Sequence, residues 1–217
     1  MRYATAVGHL RKVVEACVED AARPPLDGGE EPAPYVLGAY AFGELLEAPD
    51  DPGFSEVALV VDAGVDELPW GYEPPSLQWF AHWSRMDRHP MRWVARPRDQ
   101  PVSNHMVRRP LRLWTVNDGV DEAALTALAE RRAVEHRLED PPPDELRAAL
   151  ERELAVTEAA LDDAVERYWD RDFRDEHRGG GRYPEHTLWE LAWGVRDLRR
   201  GLEQLAGEAR PGGATRG

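Results

Sequence analysis

This chain contains very little cysteine and no long apolar run. Its 217 residues include one cysteine, Cys17, which excludes an intramolecular disulfide and a cysteine-based zinc cluster. No apolar run approaches the roughly 20 residues that a membrane-spanning helix needs. Acidic residues interrupt residues 1–21, which are therefore not typical of a signal peptide. These absences predict a bacterial cytoplasmic protein, with Cys17 as a buried thiol on the apolar face of the first helix.

Lysine is nearly absent as well, and acidic residues outnumber basic ones. Lys12 is the one lysine among 27 basic residues, and such a preference for arginine is typical of a GC-rich genome. The net charge of −14 argues against nonspecific binding to nucleic acids, because a phosphate backbone repels an acidic surface. Residues 76–112 are the exception, with eight arginines and two acids. They could receive an anionic ligand or an acidic partner.

Hydrophobic periodicity divides the chain into an α/β half and a helical half. In the first half the pattern predicts helices over residues 3–21 and 40–47 and from an N-cap at residue 76 to about residue 88. It predicts strands over residues 35–38, 57–62, 91–95 and 111–116. In the second half it predicts helices over residues 121–138 and 144–169 and a last helix from residue 184. The expected organisation is an α/β domain over residues 1–118, a helical domain over residues 119–207 and a disordered tail over residues 208–217.

Residues 35–62, YVLGAYAFGELLEAPDDPGFSEVALVVD, carry the most informative pattern. A buried strand is followed by the glycine-marked segment from Gly38 to Gly43, a short helix, a loop and a second apolar strand that begins at Ser55-Glu56-Val57-Ala58. This layout resembles the phosphate-binding core of the nucleotidyltransferase superfamily. The resemblance implies an α+β fold with a nucleotidyltransferase-like α/β core and a C-terminal helical, bundle-like domain.

The same resemblance implies a ligand site and shows what is missing from it. The implied ligand-binding residues are Gly38, Ala39, Tyr40, Gly43, Ser55 and Glu56. In the superfamily a serine follows the first glycine, and two aspartates one residue apart hold metal ions against a triphosphate. Here Ala39, Glu56 and Ala58 occupy those positions. Glu56 is the one catalytic candidate, and a single carboxylate cannot hold two magnesium ions. We therefore expect no metal site and no cofactor.

The function expected from this pattern is a catalytically degenerate nucleotidyltransferase-like protein that binds a nucleotide or another phosphate-bearing small molecule. One alternative is an active phosphotransfer enzyme that uses magnesium at an altered site containing Glu56 and Asp62. Another is a protein-partner module of the antitoxin type, with the tryptophan- and arginine-rich residues 79–112 as its contact surface. Binding to a membrane or to nucleic acid is not expected.

Arg108, Arg109 and Arg112 form a basic cluster with His105. The cluster could hold a phosphate at the mouth of a cleft, which makes Arg108 and Arg109 candidate ligand-binding residues. The interpretation we prefer is that it pairs with acids of the helical half.

Six of the eight tryptophans fall into groups that suggest packing. The pairs at 79/83 and 189/193 are each four residues apart, which places both rings on one helix face. We expect these pairs, with Trp93 and Trp169, to join the helical half to the α/β half. Tryptophans beside arginines are also typical of a protein-binding surface.

Two Glu-His pairs flank a glycine run at residues 178–182. Glu176-His177 and Glu185-His186 contain potential metal ligands. The interpretation we prefer is that they satisfy the ends of the neighbouring helices.

Overall fold

The computed structural model of the protein describes residues 1–22, 35–47, 50, 52–176 and 183–208. The following predicted features lie outside these ranges: the loop over residues 23–34, His177, the glycine run over residues 178–182, and the tail from residue 209.

Helices and strands alternate in the first part of the chain, and the described residues after the last strand form helices. The helices are α1 (Tyr3–Ala21), α2 (Glu44–Glu47), α3 (Pro75–Trp83), α4 (Glu122–Ala129), α5 (Pro143–Glu166), α6 (Arg171–Glu176) and α7 (Pro184–Glu208). The strands are β1 (Val36–Phe42), β2 (Ser55–Val61), β3 (Met91–Pro97), β4 (Leu111–Thr115) and β5 (Gly119–Val120). The expected mixed α+β class with C-terminal helices is confirmed. No described helix combines the length and the apolar character needed to cross a bilayer.

Among the described residues, five strands form one mixed sheet in the order β3-β2-β1-β4-β5. The central strand β1 is antiparallel to both β2 and β4, whereas β2 and β3 are parallel. A parallel pair needs a crossover connection, and the chain between β2 and β3 supplies one that includes α3. This order places β3 at one edge of the sheet.

The structure corrects the prediction for residues 35–47. β1 continues through Phe42, and α2 is only one turn long. Tyr40 and Ala41 pair with β2 on one side and with β4 on the other, so two ladders of hydrogen bonds outweigh the local helical preference. Gly38 therefore lies inside the strand, where the pairing register shifts, and the turn is at Gly43, whose φ is +74°.

The helix predicted over residues 121–138 is also shorter than expected. It ends at Ala129, and Arg131 adopts a left-handed φ of 61°. An isolated bridge between Leu111 and Arg137 then brings the chain back beside β4. α4 packs into the same apolar core as α1 and the sheet. The domain boundary after residue 118 stays a prediction.

One face of the sheet is covered by α1, α3 and α4. The apolar stripe of α1 includes Leu10, Val14 and Cys17, all buried in this core. The Tyr3 hydroxyl donates a hydrogen bond to the carbonyl of Leu128, which joins α1 to the end of α4. Cys17 is fully buried, as predicted, and burial raises the pKa of its thiol.

The opposite face of the sheet receives α5 and α7 around Trp70. This ring packs with leucines of both helices, Leu146, Leu150, Leu198 and Leu205. Its Nε1–H donates to Asp197 Oδ2 at 2.9 Å, and its backbone N–H donates to Thr157 Oγ1 at 2.9 Å. Burial opposes ionisation of Asp197, but hydrogen bonds from His105 and Trp70 outweigh it and hold the pKa of Asp197 below its usual range. Trp70 is therefore bonded to both helices.

A buried ion pair joins α5 to β3. Arg96 on β3 is 1% exposed, Glu153 on α5 is 3% exposed, and Arg96 Nη2 lies 2.7 Å from Glu153 Oε1. The same guanidinium donates to the carbonyl of Pro101 at 2.8 Å and lies 5.5 Å from the centre of the Trp70 ring. Since each buried charge needs the other, the pair binds α5 to the sheet.

Glycines let α7 approach the sheet closely. A Cβ at Gly194 would lie 2.0 Å from the Trp70 carbonyl oxygen, and one at Gly201 would lie 2.6 Å from Cγ of His105. The backbone of α7 therefore contacts residue 70 directly.

Of the tryptophans singled out in the sequence, Trp193 on α7 contacts residue 71 as expected, but three others are largely exposed. Trp169 is 78% exposed, Trp189 is 67% exposed and Trp79 is 54% exposed. Trp70 joins the two halves as well, and it lies in an irregular segment where no periodicity marks it. Helical spacing shows that two residues share a face, but only tertiary packing decides whether that face is covered.

We expect Glu153→Ala to destabilise the protein by about 3–5 kcal/mol, because it leaves the guanidinium of Arg96 buried without its counter-charge. Urea denaturation at neutral pH measures this change. The matched control on the same helix is Glu158→Ala. Glu158 is 39% exposed and pairs with Arg199, so its loss should cost less than about 1 kcal/mol. Equal effects of the two substitutions would contradict the structural role given to the buried pair.

Gly194→Ala should destabilise the fold by about 1–3 kcal/mol, because the new methyl group would collide with the Trp70 carbonyl. Gly8→Ala in α1 is the control. A Cβ there meets nothing within 4 Å, so alanine should stabilise the protein by about 0.5–1 kcal/mol. Thermal unfolding of the two variants measures the contrast, and a stabilised Gly194→Ala protein would rule out close contact between α7 and residue 70.

Candidate functional site

A cavity of about 690 Å³ lies between the edge strand β3, residues 70–73 and α7. This volume is within the range of pockets that bind small molecules. Its aromatic lining residues are Phe42, Trp70, Tyr72, Trp93, Trp189 and Trp193, and its charged lining residues are Glu56, Glu73, Glu190 and Arg92. We refer to this cavity as the aromatic cleft.

Two tryptophans of α7 form one wall of the aromatic cleft. Both line the cavity, although Trp189 is 67% exposed and Trp193 is 37% exposed. Trp193 lies directly against Gly71, where a Cβ would be 3.0 Å from the ring and where φ is +78°. Glycine at position 71 therefore permits both the backbone conformation and the approach of the ring.

Acidic side chains are interleaved with the aromatic rings. Trp93 Nε1–H donates to Glu73 Oε1 at 2.6 Å, and the backbone N–H of Glu73 donates to Glu190 Oε2 at 3.3 Å. These contacts connect β3, residues 70–73 and α7 across the cleft. Among the described lining residues, three carboxylates face one arginine.

Glu56 lies at the end of the aromatic cleft that is nearest to α2. Its Oε2 accepts a hydrogen bond from the backbone N–H of Glu44 at 2.8 Å, and its carboxylate is packed against Gly43. A Cβ at Gly43 would lie 1.8 Å from Glu56 Oε2, so residue 43 must be glycine for Glu56 to take this position. The carboxylate therefore fixes the turn before α2.

Ala58 is on the same face of β2 as Glu56, as the period of two predicts. It is fully buried in an apolar cluster with Phe42 and Val107. The loop between β3 and β4 supplies Val107 and covers this part of the sheet. Position 58 is thus closed to solvent.

The other residues predicted from the resemblance lie in several environments. Gly38 is inside β1, where a Cβ would lie 2.9 Å from the Tyr40 ring. Ala39 and Ser55 are buried on the α1 side of the sheet, and Ser55 Oγ donates to the carbonyl of Ala6 at 3.2 Å. Tyr40 packs beside the cluster around Ala58, and burial raises the pKa of its hydroxyl. Among the predicted ligand-binding residues, Glu56 is the one found in the lining given above.

Three side chains of the basic cluster contact acids, most of which lie in residues 119–207. Arg108 Nε lies 2.7 Å from Asp140 Oδ2, and the backbone N–H of Arg109 donates to the same carboxylate at 2.6 Å. His105 Nε2 lies 2.7 Å from Asp197 Oδ2 on α7. Arg112 contacts two more carboxylates, those of Asp118 and Asp121. The ion pairs of Arg108 and His105 attach the loop between β3 and β4 to residues 140 and 197.

Within the described part of the chain, no group of three or more histidine, cysteine, aspartate or glutamate side chains is placed to hold a metal ion. Glu185, one of the potential ligands noted in the sequence, accepts a hydrogen bond from the Tyr168 hydroxyl at 2.6 Å.

Sequence reasoning identified some cleft residues but not their role. The four-residue spacing of Trp189 and Trp193 correctly places both rings on one helix face. By contrast, Trp70, Gly71 and Glu73 lie in an irregular segment without periodicity, and their meeting with α7 depends on contacts more than 100 residues apart in the chain.

Comparison with known proteins gives one match. No curated protein and no solved structure matches the chain. A family model described as "Domain of unknown function (DUF7711)" matches residues 1–204, which is nearly the whole chain. The protein therefore belongs to the DUF7711 family.

Proposed function

We propose that this protein is a catalytically degenerate nucleotidyltransferase-like protein of the bacterial cytoplasm, and that it binds a small molecule in the aromatic cleft without metal-dependent transfer. The observation that carries the proposal is the state of positions 56 and 58. One carboxylate is engaged in a backbone turn, and the position where a second is expected is buried among apolar side chains.

The arrangement of the sheet supports the nucleotidyltransferase resemblance. β1 and β2 are antiparallel neighbours, with Gly38 opposite Val60 and Phe42 opposite Glu56. The aromatic cleft includes Glu56, on one face of β2, together with residues from both faces of the edge strand β3 and from α7. The resemblance implies a ligand site at this face, next to a helical domain.

The contacts of Glu56 argue against a catalytic role. A metal-binding carboxylate needs oxygen lone pairs directed at the ion. Oε2 of Glu56 accepts the hydrogen bond from Glu44, and Oε1 lies 3.9 Å from Arg92 Nη1. Its side chain is 12% exposed. Binding a cation here would therefore break the turn before α2.

The surroundings of Ala58 oppose restoration of a metal pair. An aspartate at this position would have to keep its charge beside Phe42 and Val107, and burial of an unpaired carboxylate in apolar surroundings is unfavourable. The neighbouring strands offer no substitute, because β3 and β4 contain neither aspartate nor glutamate.

The distance between Glu56 and Asp62 along the chain argues against an altered metal site formed by these two residues. Glu56 is near the start of β2, whereas Asp62 follows its last residue. Six residues of extended strand span about 20 Å. Asp62 is also engaged by Arg98, whose Nη1 lies 2.5 Å from Asp62 Oδ1. The two carboxylates cannot hold one ion.

One observation favours the partner-protein alternative. The rings of Trp79 and Trp83 on α3 are stacked and nearly parallel, with their centres 6.1 Å apart. Trp79 is 54% exposed. Exposed tryptophans are enriched in protein-binding surfaces. This surface and the aromatic cleft involve different residues, so the two roles are compatible.

A turnover assay tests the proposed function. The protein is incubated with magnesium or manganese and each of the four ribonucleoside triphosphates, and the release of pyrophosphate or phosphate is measured. We expect the same background rate for the natural protein and for Glu56→Gln. Metal-dependent turnover that Glu56→Gln abolishes would overturn the proposal and favour the enzyme alternative.

Ala58→Asp tests whether the metal position is closed. At neutral pH we expect this variant to be at least about 2 kcal/mol less stable than Ala58→Asn, because the two side chains have similar shape but only aspartate must bury a charge. Burial raises the pKa of the introduced carboxyl group, so as the pH falls the group becomes protonated at a higher pH in the folded state than in the unfolded state. The difference should therefore shrink as the pH falls toward 4. Urea denaturation at several pH values measures this difference. A large stabilisation of Ala58→Asp by magnesium would contradict the proposal.

A further inference from the structure

We infer that the ligand of the aromatic cleft is an organic cation, with a quaternary or methylated ammonium head attached to an apolar body. This inference rests on the proposed binding function and narrows it to one chemical class. It departs from the nucleotide that the sequence led us to expect, and the reason is the distribution of charge around the cavity.

Three tryptophan rings of the aromatic cleft favour a cationic ligand. Trp93, Trp189 and Trp193 all line one cavity, from β3 on one side and from α7 on the other. The faces of tryptophan rings attract cations. A methylated ammonium group is weakly hydrated, so its transfer from water to the rings costs little free energy of desolvation. Substantial exposure of Trp189 and Trp193 leaves ring surface that a ligand can cover.

A carboxylate strengthens the attraction at one ring. Glu73 Oε1 accepts the indole N–H of Trp93 at 2.6 Å. This hydrogen bond fixes the orientation of the ring and places a negative charge at its edge, which makes the ring face more attractive to a cation. Glu190, bonded to the backbone of Glu73, adds a second carboxylate beside the α7 tryptophans.

The same charges disfavour a phosphate. Among the described lining residues, Arg92 is the one arginine against three glutamates. Its guanidinium lies 4.3 Å from the centre of the Phe54 ring, and its side chain is 63% exposed. The backbone N–H of Glu44 at the start of α2, which could otherwise bind an anion, already donates to Glu56. Over the described part of the lining, an anionic ligand would therefore meet more negative than positive side chains.

The size of the cavity indicates that the ligand is more than a small ammonium ion. A volume of about 690 Å³ is typical of sites for drug-sized molecules. Phe42, Leu77, Val94 and Met106 give the rest of the lining an apolar character. A ligand with its ammonium head near Trp93 and its apolar body along these side chains would contact both the aromatic and the aliphatic parts of the lining.

The test compares two probes of nearly equal shape, butyrylcholine and its uncharged carbon isostere 3,3-dimethylbutyl butyrate. Binding is followed by isothermal titration calorimetry and by tryptophan fluorescence. We expect butyrylcholine to bind at least about tenfold more tightly than the isostere, because only the cation gains from the rings and carboxylates. Adenosine diphosphate should not compete with butyrylcholine.

Variants locate the site. Trp193→Leu and Glu73→Gln should each weaken butyrylcholine binding by about tenfold, with circular dichroism used to check that the fold is retained. Trp193→Phe should retain part of the affinity because phenylalanine keeps a ring face. Trp169→Leu is the matched control. Trp169 is 78% exposed and is not among the residues that line the cleft, so binding should not change.

Three results would overturn the inference: equal affinity for the cation and its isostere, displacement of the cation by adenosine diphosphate, or no binding of butyrylcholine. None of these reports on catalysis. Turnover of nucleoside triphosphates in the assay above would instead defeat the proposed function, so failure of one idea can be told apart from failure of the other.

Discussion

The attachment of α5 and α7 to the sheet depends on one buried charge. Burial of the Arg96 guanidinium on β3 requires a fixed negative partner. Glu153 on α5 is that partner, and Trp70 covers the pair while donating a hydrogen bond to Asp197 on α7. α5 and α7, both distant from β3 in the sequence, are thereby positioned against that strand. The aromatic cleft is bounded by the same strand and by α7, so its shape follows from this attachment.

Close approach of backbones gives the cleft its aromatic wall. Glycine at position 194 lets α7 contact the carbonyl of Trp70, and glycine at position 71 lets Trp193 lie against the chain opposite. With α7 at this distance, Trp189 and Trp193 line the same cavity as Trp93. The acids that accompany these rings are the basis of our proposal of a cationic ligand, whereas the resemblance in the sequence suggested a nucleotide.

The alternation of β2 was readable from the sequence. Residues 56 and 58 do share a face. What each side chain does there was not readable, because its partners come from elsewhere. Glu56 is bonded to the turn at residues 43–44, and Ala58 is covered by a loop about 50 residues later in the chain. The end of β1 was misjudged for a similar reason, since pairing with β4 extends it beyond its local preference.

The sequence by itself determined the α+β class, the apolar stripe of α1, the burial of Cys17, and the placement of Trp189 and Trp193 on one face of α7. These follow from periodicity, which depends only on local geometry. Tertiary structure alone decided that Trp70 is buried, that Arg96 and Glu153 form a pair, and that Glu73 meets Trp93. Each of these contacts joins residues 20 to 127 positions apart, and no local pattern encodes which partner a buried polar group will find.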